Sequence, residues 1–132
     1  MAVKILIADD HEIVRQGIRR VLEAKPEWQI CGEAANGQEA VRMAQELAPD
    51  VIIMDVTMPV MNGFEAAERL RDMKCKTKIV ILTTYEDDEY IHAAFSAGAN
   101  AYVAKRYFGT DLVTAIRQVV RGDTFVSPSL LS

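Results

Sequence analysis

Cysteine and histidine are scarce in this chain: Cys31, Cys75, His11 and His92 are all there is of either. None of the four stands at a spacing that metal or redox motifs use, which argues against a zinc cage and a dithiol centre. Free thiols fit a reducing compartment, and a cytoplasmic location is expected. A long apolar run is also missing. The first run, Ile5-Leu6-Ile7-Ala8, meets Asp9-Asp10 too soon for a signal peptide or a membrane span, so no membrane partner is expected. Nor is positive charge in excess. A net charge of −4 gives no general attraction to nucleic acid, and Lys74, Lys76 and Lys78 read as a solvated edge. Low-complexity tracts and internal repeats are lacking beyond an alternation of strand and helix patterns. What is present is ordinary globular composition, 50% hydrophobic and 26% charged, in a length that suits one core.

Five short apolar runs mark buried strands: Val3–Ala8, a weaker Gln29–Ala34, Val51–Met54, Lys78–Leu82 and Ala101–Ala104. Between them the apolar residues recur at helical spacing. Val14, Ile18, Val21 and Leu22 form one stripe, with Arg15, Arg19 and Arg20 turned the other way, and Pro26 closes that helix. Ala40, Met43, Ala44 and Leu47 form the second, between Asn36-Gly37 and Pro49. Asn62 and Glu65 have capping-box spacing for a third helix that runs to about Lys74 and buries Phe64, Ala67 and Leu70. Glu86 to Glu89 suit the positive end of a fourth helix, which Gly98 ends. Leu112, Ile116, Val119 and Val120 repeat the spacing in a fifth, closed by Gly122. Residues 122–132 read as a turn and a segment with no partner element.

Strands alternating with helices imply an α/β fold, a parallel sheet covered on both faces. A barrel needs eight such units. The expectation is a doubly wound, flavodoxin-like five-stranded sheet in the order 2-1-3-4-5. That order makes neighbours of the strands ending in Asp9-Asp10, Asp55, Thr83 and Lys105, so these side chains converge on one pocket centred on Asp55. Close carboxylates repel one another, and burial sharpens the repulsion. A hard divalent cation relieves it, and an all-oxygen site suits Mg²⁺. Asp55 then has the makings of a nucleophile toward phosphorus, with Lys105 as a point charge and Thr83 as a hydroxyl donor. Taken singly, each residue has a plainer role: Asp9 and Asp10 as helix caps, Lys105 as a surface lysine, Thr83 as a strand end.

The ordered set resembles the receiver domain of bacterial two-component response regulators along essentially the whole chain. Its carriers are Asp9-Asp10, Asp55-Val56-Thr57-Met58-Pro59 with Met61-Asn62-Gly63, Thr83-Thr84, Gly98-Ala99, Tyr102 and Lys105. The resemblance implies a CheY-like receiver fold and phosphoryl transfer to Asp55 from the phosphohistidine of a sensor histidine kinase. It implies Mg²⁺ (or Mn²⁺) held by Asp10, Asp55 and the backbone carbonyl of Thr57, with Asp9 acting through water. Thr83 and Tyr102 would be the switch, Thr83 following the phosphoryl oxygen and Tyr102 turning inward behind it. The face formed by the fourth helix, fifth strand and fifth helix would then change population. The product is read before it is lost, so the protein is expected to be a switch and not a turnover enzyme. Beyond autophosphorylation from a phosphodonor, only slow self-dephosphorylation is implied. Homodimerisation on phosphorylation is expected through the first and fifth helices or the fourth-helix face.

Several positions depart from the common pattern. Arg106 stands where many receivers carry a cis proline, Thr57 and Tyr85 border the path of an attacking water, and Thr84 replaces a smaller residue. The tail, Gly122-Asp123-Thr124-Phe125-Val126-Ser127-Pro128, resembles the linker of the NarL/FixJ-type subgroup, in which a LuxR-type helix-turn-helix domain follows. The expected division is a receiver domain over 1–121 and the start of a linker over 122–132. DNA binding is expected only through a C-terminal domain absent here. Two other classes fit less well. An aspartyl-nucleophile phosphatase needs an acid where Thr57 stands, and a nucleotide- or flavin-binding module needs a phosphate cradle where Asp9-Asp10 would repel phosphate.

Overall fold

The structure, a computed structural model, describes residues 2–131. The strands are β1 (Val3–Ala8), β2 (Trp28–Ala34), β3 (Val51–Met54), β4 (Lys78–Thr83), β5 (Ala101–Ala104) and β6 (Phe125–Val126). The helices are α1 (Glu12–Glu23), α2 (Gly37–Leu47), α3 (Gly63–Asp72), α4 (Asp88–Ser96) and α5 (Phe108–Val120). All pairings are parallel, in the order β2-β1-β3-β4-β5-β6. The central strands are apolar at nearly every position because both faces of the sheet are covered. Alternation sends Leu6, Ile52, Met54, Ile81 and Tyr102 to one core beneath α2, α3 and α4. Ile5, Ile7, Ile53, Val80 and Val103 go to the other, beneath α1 and α5.

The expected order holds for the first five strands, and the sheet gains a sixth. Residues 122–132 were expected to have no partner element. Instead Phe125 lies opposite Ala101 and Val126 opposite Tyr102 on the outer edge of β5. A two-residue strand carries too little periodicity to be seen in sequence. It forms because β5 would otherwise leave an apolar edge with unpaired amides.

The loop after β3 is fixed at close quarters. Asn62 and Glu65 make both bonds of the capping box, at 2.8 and 3.0 Å. The Gly63 N–H donates to the Val56 carbonyl at 2.8 Å. A side chain at Gly63 would lie 2.1 Å from the Asp55 carbonyl oxygen, so only glycine lets α3 start this close to the strand end. Val60, in the same loop, has φ +70° and is 75% exposed. That is a left-handed conformation a β-branched residue adopts only under constraint.

Candidate functional site

The parallel sheet brings the C-terminal ends of β1, β3, β4 and β5 side by side, and the site is assembled there. The Asp55 N–H donates to the Ala8 carbonyl at 3.1 Å, extending the β1–β3 ladder by one residue. Asp55 is 6% exposed and Asp9 1%. The Lys105 amino group reaches between them, 2.9 Å from Asp55 Oδ2 and 3.0 Å from Asp9 Oδ2. The second Asp55 oxygen, Oδ1, accepts the Val56 N–H at 2.7 Å. Each carboxylate oxygen of Asp55 thus takes one strong donor and keeps acceptor capacity for another.

Burial pushes the Asp55 carboxyl above its ordinary value, and Asp9 adds to the rise, while Lys105 and the Val56 N–H pull the other way. For Lys105, burial acts to lower the amino group's value, yet Asp55 and Asp9 together carry it above the ordinary lysine range. An isolated ion pair lowers its acid as it raises its base. Here both rise, because the desolvation of Asp55 outweighs what a single lysine shared between two acids returns. One ammonium group thus serves two carboxylates.

Asp10 is exposed beside this pair. The His11 ring leans onto the acids, with Nδ1 3.3 Å from Asp9 Oδ1 and 3.1 Å from Asp10 Oδ1. Asp9, Asp10 and His11 offer ligand atoms within 4.8 Å of one another. No backbone N–H among the described residues donates to the Thr57 carbonyl. Three carboxylates beside a single ammonium group, with a carbonyl that takes no backbone N–H, are a donor set that fits a hard divalent cation.

Three latches hold the segment 84–87 over the site. Thr57 donates its hydroxyl to the Tyr85 hydroxyl at 3.2 Å. The Tyr102 hydroxyl donates to the Tyr85 carbonyl from below at 2.6 Å. Arg106 forks onto Glu86, with contacts of 2.7 Å from Nε and from Nη2. The Tyr85 ring also stacks on Tyr90 of α4, with centroids 4.4 Å apart. Thr83 is fully buried and its hydroxyl accepts the Tyr85 N–H at 3.2 Å. Tyr102 is fully buried and inward, and burial raises its phenol above the ordinary value.

The structure thus draws Asp9, Asp55 and Lys105 into direct contact and sets Asp10 at their edge. Thr83 and Tyr102 bond to the Tyr85 backbone and not to Asp55. No sequence pattern singles out Glu33, near the end of β2. It receives Arg15 and Arg19 from α1, and Arg15 also donates to the Asp9 carbonyl. The stripe of α1 shows that these arginines leave the core, but only the packing of α1 on β2 shows where they go. Arg106 begins no cis turn: peptide bonds among the described residues are trans, and Lys105–Tyr107 form a 3-10 turn leading into α5.

The family model described as the response regulator receiver domain matches residues 5–117. The chain belongs to this family. Transcriptional regulatory protein YdfI of Bacillus subtilis (strain 168) is 40% identical over 128 residues, 97% of this chain and 60% of that protein. The chain spans less than two thirds of the length of the first curated relatives it matches. A two-component response regulator of the LuxR family from Aurantimonas sp. SI85-9A1 superposes with TM-score 0.94 at 36% identity, covering 99% of this chain and 94% of that one. The isolated REC domain of RcsB from Salmonella enterica serovar Typhimurium, solved with the phosphomimetic BeF3⁻, superposes with TM-score 0.90 at 26% identity. That match covers 98% of this chain and 96% of that one. The receiver has the parallel α/β fold of its family, and no helix among the described residues is long and apolar enough to cross a membrane.

Proposed function

We propose that this receiver domain accepts a phosphoryl group on Asp55 from the phosphohistidine of a sensor histidine kinase. The observation that carries the reading is Asp55 itself, a buried carboxylate at a central strand end, sharing one lysine with Asp9. One Asp55 oxygen attacks phosphorus, the P–N bond breaks with its electron pair going to the ring nitrogen, and the imidazole leaves neutral because its other ring nitrogen carries a proton. An acyl phosphate remains on Asp55. Asp10, Asp55 and the Thr57 carbonyl would hold Mg²⁺ or Mn²⁺, with Asp9 acting through water. The ion supplies charge neutralisation at the transferring phosphoryl group. Lys105 provides the protein's own cation for the same charge. Thr83 accepts from the Tyr85 N–H, which leaves its O–H to donate to a phosphoryl oxygen.

The new dianion biases the segment 84–87, because Thr83 and Tyr102 both bond to Tyr85 and Tyr85 stacks on α4. That links Asp55 to the face of α4, β5 and α5. Thr57 and Tyr85 close the water path, so their bridge favours a product that persists. In a longer parent protein, a helix-turn-helix domain after this chain would carry DNA binding.

Ile13, 73% exposed, borders a hollow of about 270 Å³ also lined by Val14, Gly17, Ile18, Leu82, Lys105 and Phe108. This favours α1 and α5 as the surface on which a second phosphorylated copy docks. An unchanged mass in light scattering, with Asp55 fully modified at high concentration, would count against dimerisation.

A small-molecule phosphodonor with a divalent cation is expected to add one phosphoryl group by intact mass, and Asp55→Asn to abolish the addition. Unchanged labelling of that variant refutes the assignment. Steady phosphate release from unrelated phosphomonoesters would favour a phosphatase.

A further inference from the structure

Ser127 lies in the tail, yet it is a fully buried polar residue. Its Oγ accepts the Ala104 N–H at 3.0 Å, and its own N–H donates to the Tyr102 carbonyl at 2.9 Å. Ala104 has no exposed surface, so its N–H has no recourse to water if that oxygen is lost. The next residue is Lys105, whose amino group bridges Asp9 and Asp55. Val126 lies opposite Tyr102, and Leu130 packs against the core cluster that contains Tyr102. The tail is therefore bonded to β5 at the two positions that feed the site: the switch tyrosine and the peptide preceding the lysine.

We propose that Ser127 is a positioning residue for Lys105, and that the segment from Phe125 to Leu130 is a working part of the phosphoacceptor unit. This rests on Asp55 being the phosphoacceptor. Ala104 ends β5 and Lys105 opens the 3-10 turn that follows it directly, so displacing the Ala104 N–H displaces the Cα of Lys105. Losing the Ser127 hydroxyl frees the end of β5, and the amino group no longer sits where the transferring charge develops. The coupling is reciprocal. To the extent that the docked tail stabilises the phosphorylated state, phosphorylation stabilises the docking of the tail by the same free energy. In a longer chain, that would hand the state of Asp55 directly to whatever follows.

The test uses the full 132-residue chain. Ser127→Ala is expected to slow phosphorylation by a small-molecule phosphodonor by about tenfold, well below its unfolding midpoint. Ser127→Thr, which keeps the hydroxyl, is expected to restore most of the rate. A purely structural serine would lower the midpoint and leave the rate of the folded protein alone. In wild type, beryllofluoride with Mg²⁺ is expected to change amide exchange at Phe125 and Ser127, whose N–H groups bond to the Asn100 and Tyr102 carbonyls, by about threefold or more. A folded Ser127→Ala within about twofold of the wild-type rate overturns the proposal. If neither serine variant folds, unchanged exchange in beryllofluoride-treated wild type overturns it instead. Absence of any labelling in wild type refutes the phosphoacceptor reading first, which separates the two failures.

Discussion

Replacing Lys105 by methionine removes the cation shared by Asp9 and Asp55 while keeping much of the side chain's volume. At contacts of 2.9 and 3.0 Å, each attraction is about 6 kcal/mol gross at an effective dielectric of about 20. The same contacts place the two carboxylate oxygens within about 6 Å of each other, where their repulsion is about 3 kcal/mol. The variant loses both attractions and keeps the repulsion. It is also relieved of desolvating an ammonium group, which offsets much of the gross attraction, and removing one partner of a buried ion pair leaves a net loss of about 3–5 kcal/mol. The pH dependence has a definite sign. Without the lysine, the already raised folded-state value of Asp55 rises further above the unfolded one, and between the two values the folded state binds more protons. The destabilisation is thus complete between the raised carboxyl range and the lysine range, as at pH 8, and fades as pH falls toward the ordinary carboxylate range. In wild type the raised Lys105 works oppositely: its contribution is full below the ordinary lysine value and is lost as pH rises through the folded one. Urea unfolding in EDTA at pH 8 and pH 5, with the slope monitored for two-state behaviour, reads this directly. A loss below about 1 kcal/mol at pH 8, or one of equal size at pH 5, refutes the reasoning.

Gly63→Ala is expected to cost about 3 kcal/mol or more and to slow Asp55 phosphorylation, because its Cβ would meet the Asp55 carbonyl at 2.1 Å. A melting curve within error of wild type would contradict the close packing. Val60→Gly relieves the positive φ at an exposed position and is expected to stabilise by about 1 kcal/mol, checked by thermal or urea midpoint. Tyr85→Phe removes the hydroxyl that bridges to Thr57 and is expected to shorten the phosphoryl lifetime by about threefold. A lifetime unchanged in a direct decay assay would show that the bridge does not guard the water path.

The fold was open to sequence reading because both faces of the sheet are buried. The runs at Val3–Ala8 and Val51–Met54 and the stripes of α1 and α5 each report a local period that burial enforces. The capping box at Asn62 and Glu65 is local too, and the structure makes both of its bonds. Where interactions are distant in sequence and confined to single residues, local pattern fails. Glu33 reaches α1, Glu86 is taken by Arg106, and Ser127 is buried against β5. None of these contacts leaves a periodic trace.

The amino-acid sequence by itself determined the alternation of strands and helices and the strand ends on which Asp9, Asp10, Asp55, Thr83 and Lys105 stand. Chain-local burial and turn chemistry are sufficient for that. Only the tertiary structure decided that one lysine bridges two buried acids, that Tyr85 latches across to Thr57, and that the tail closes the edge of β5. Those outcomes depend on distances between loops far apart in the chain. They are set once the packed sheet has brought the strand ends together.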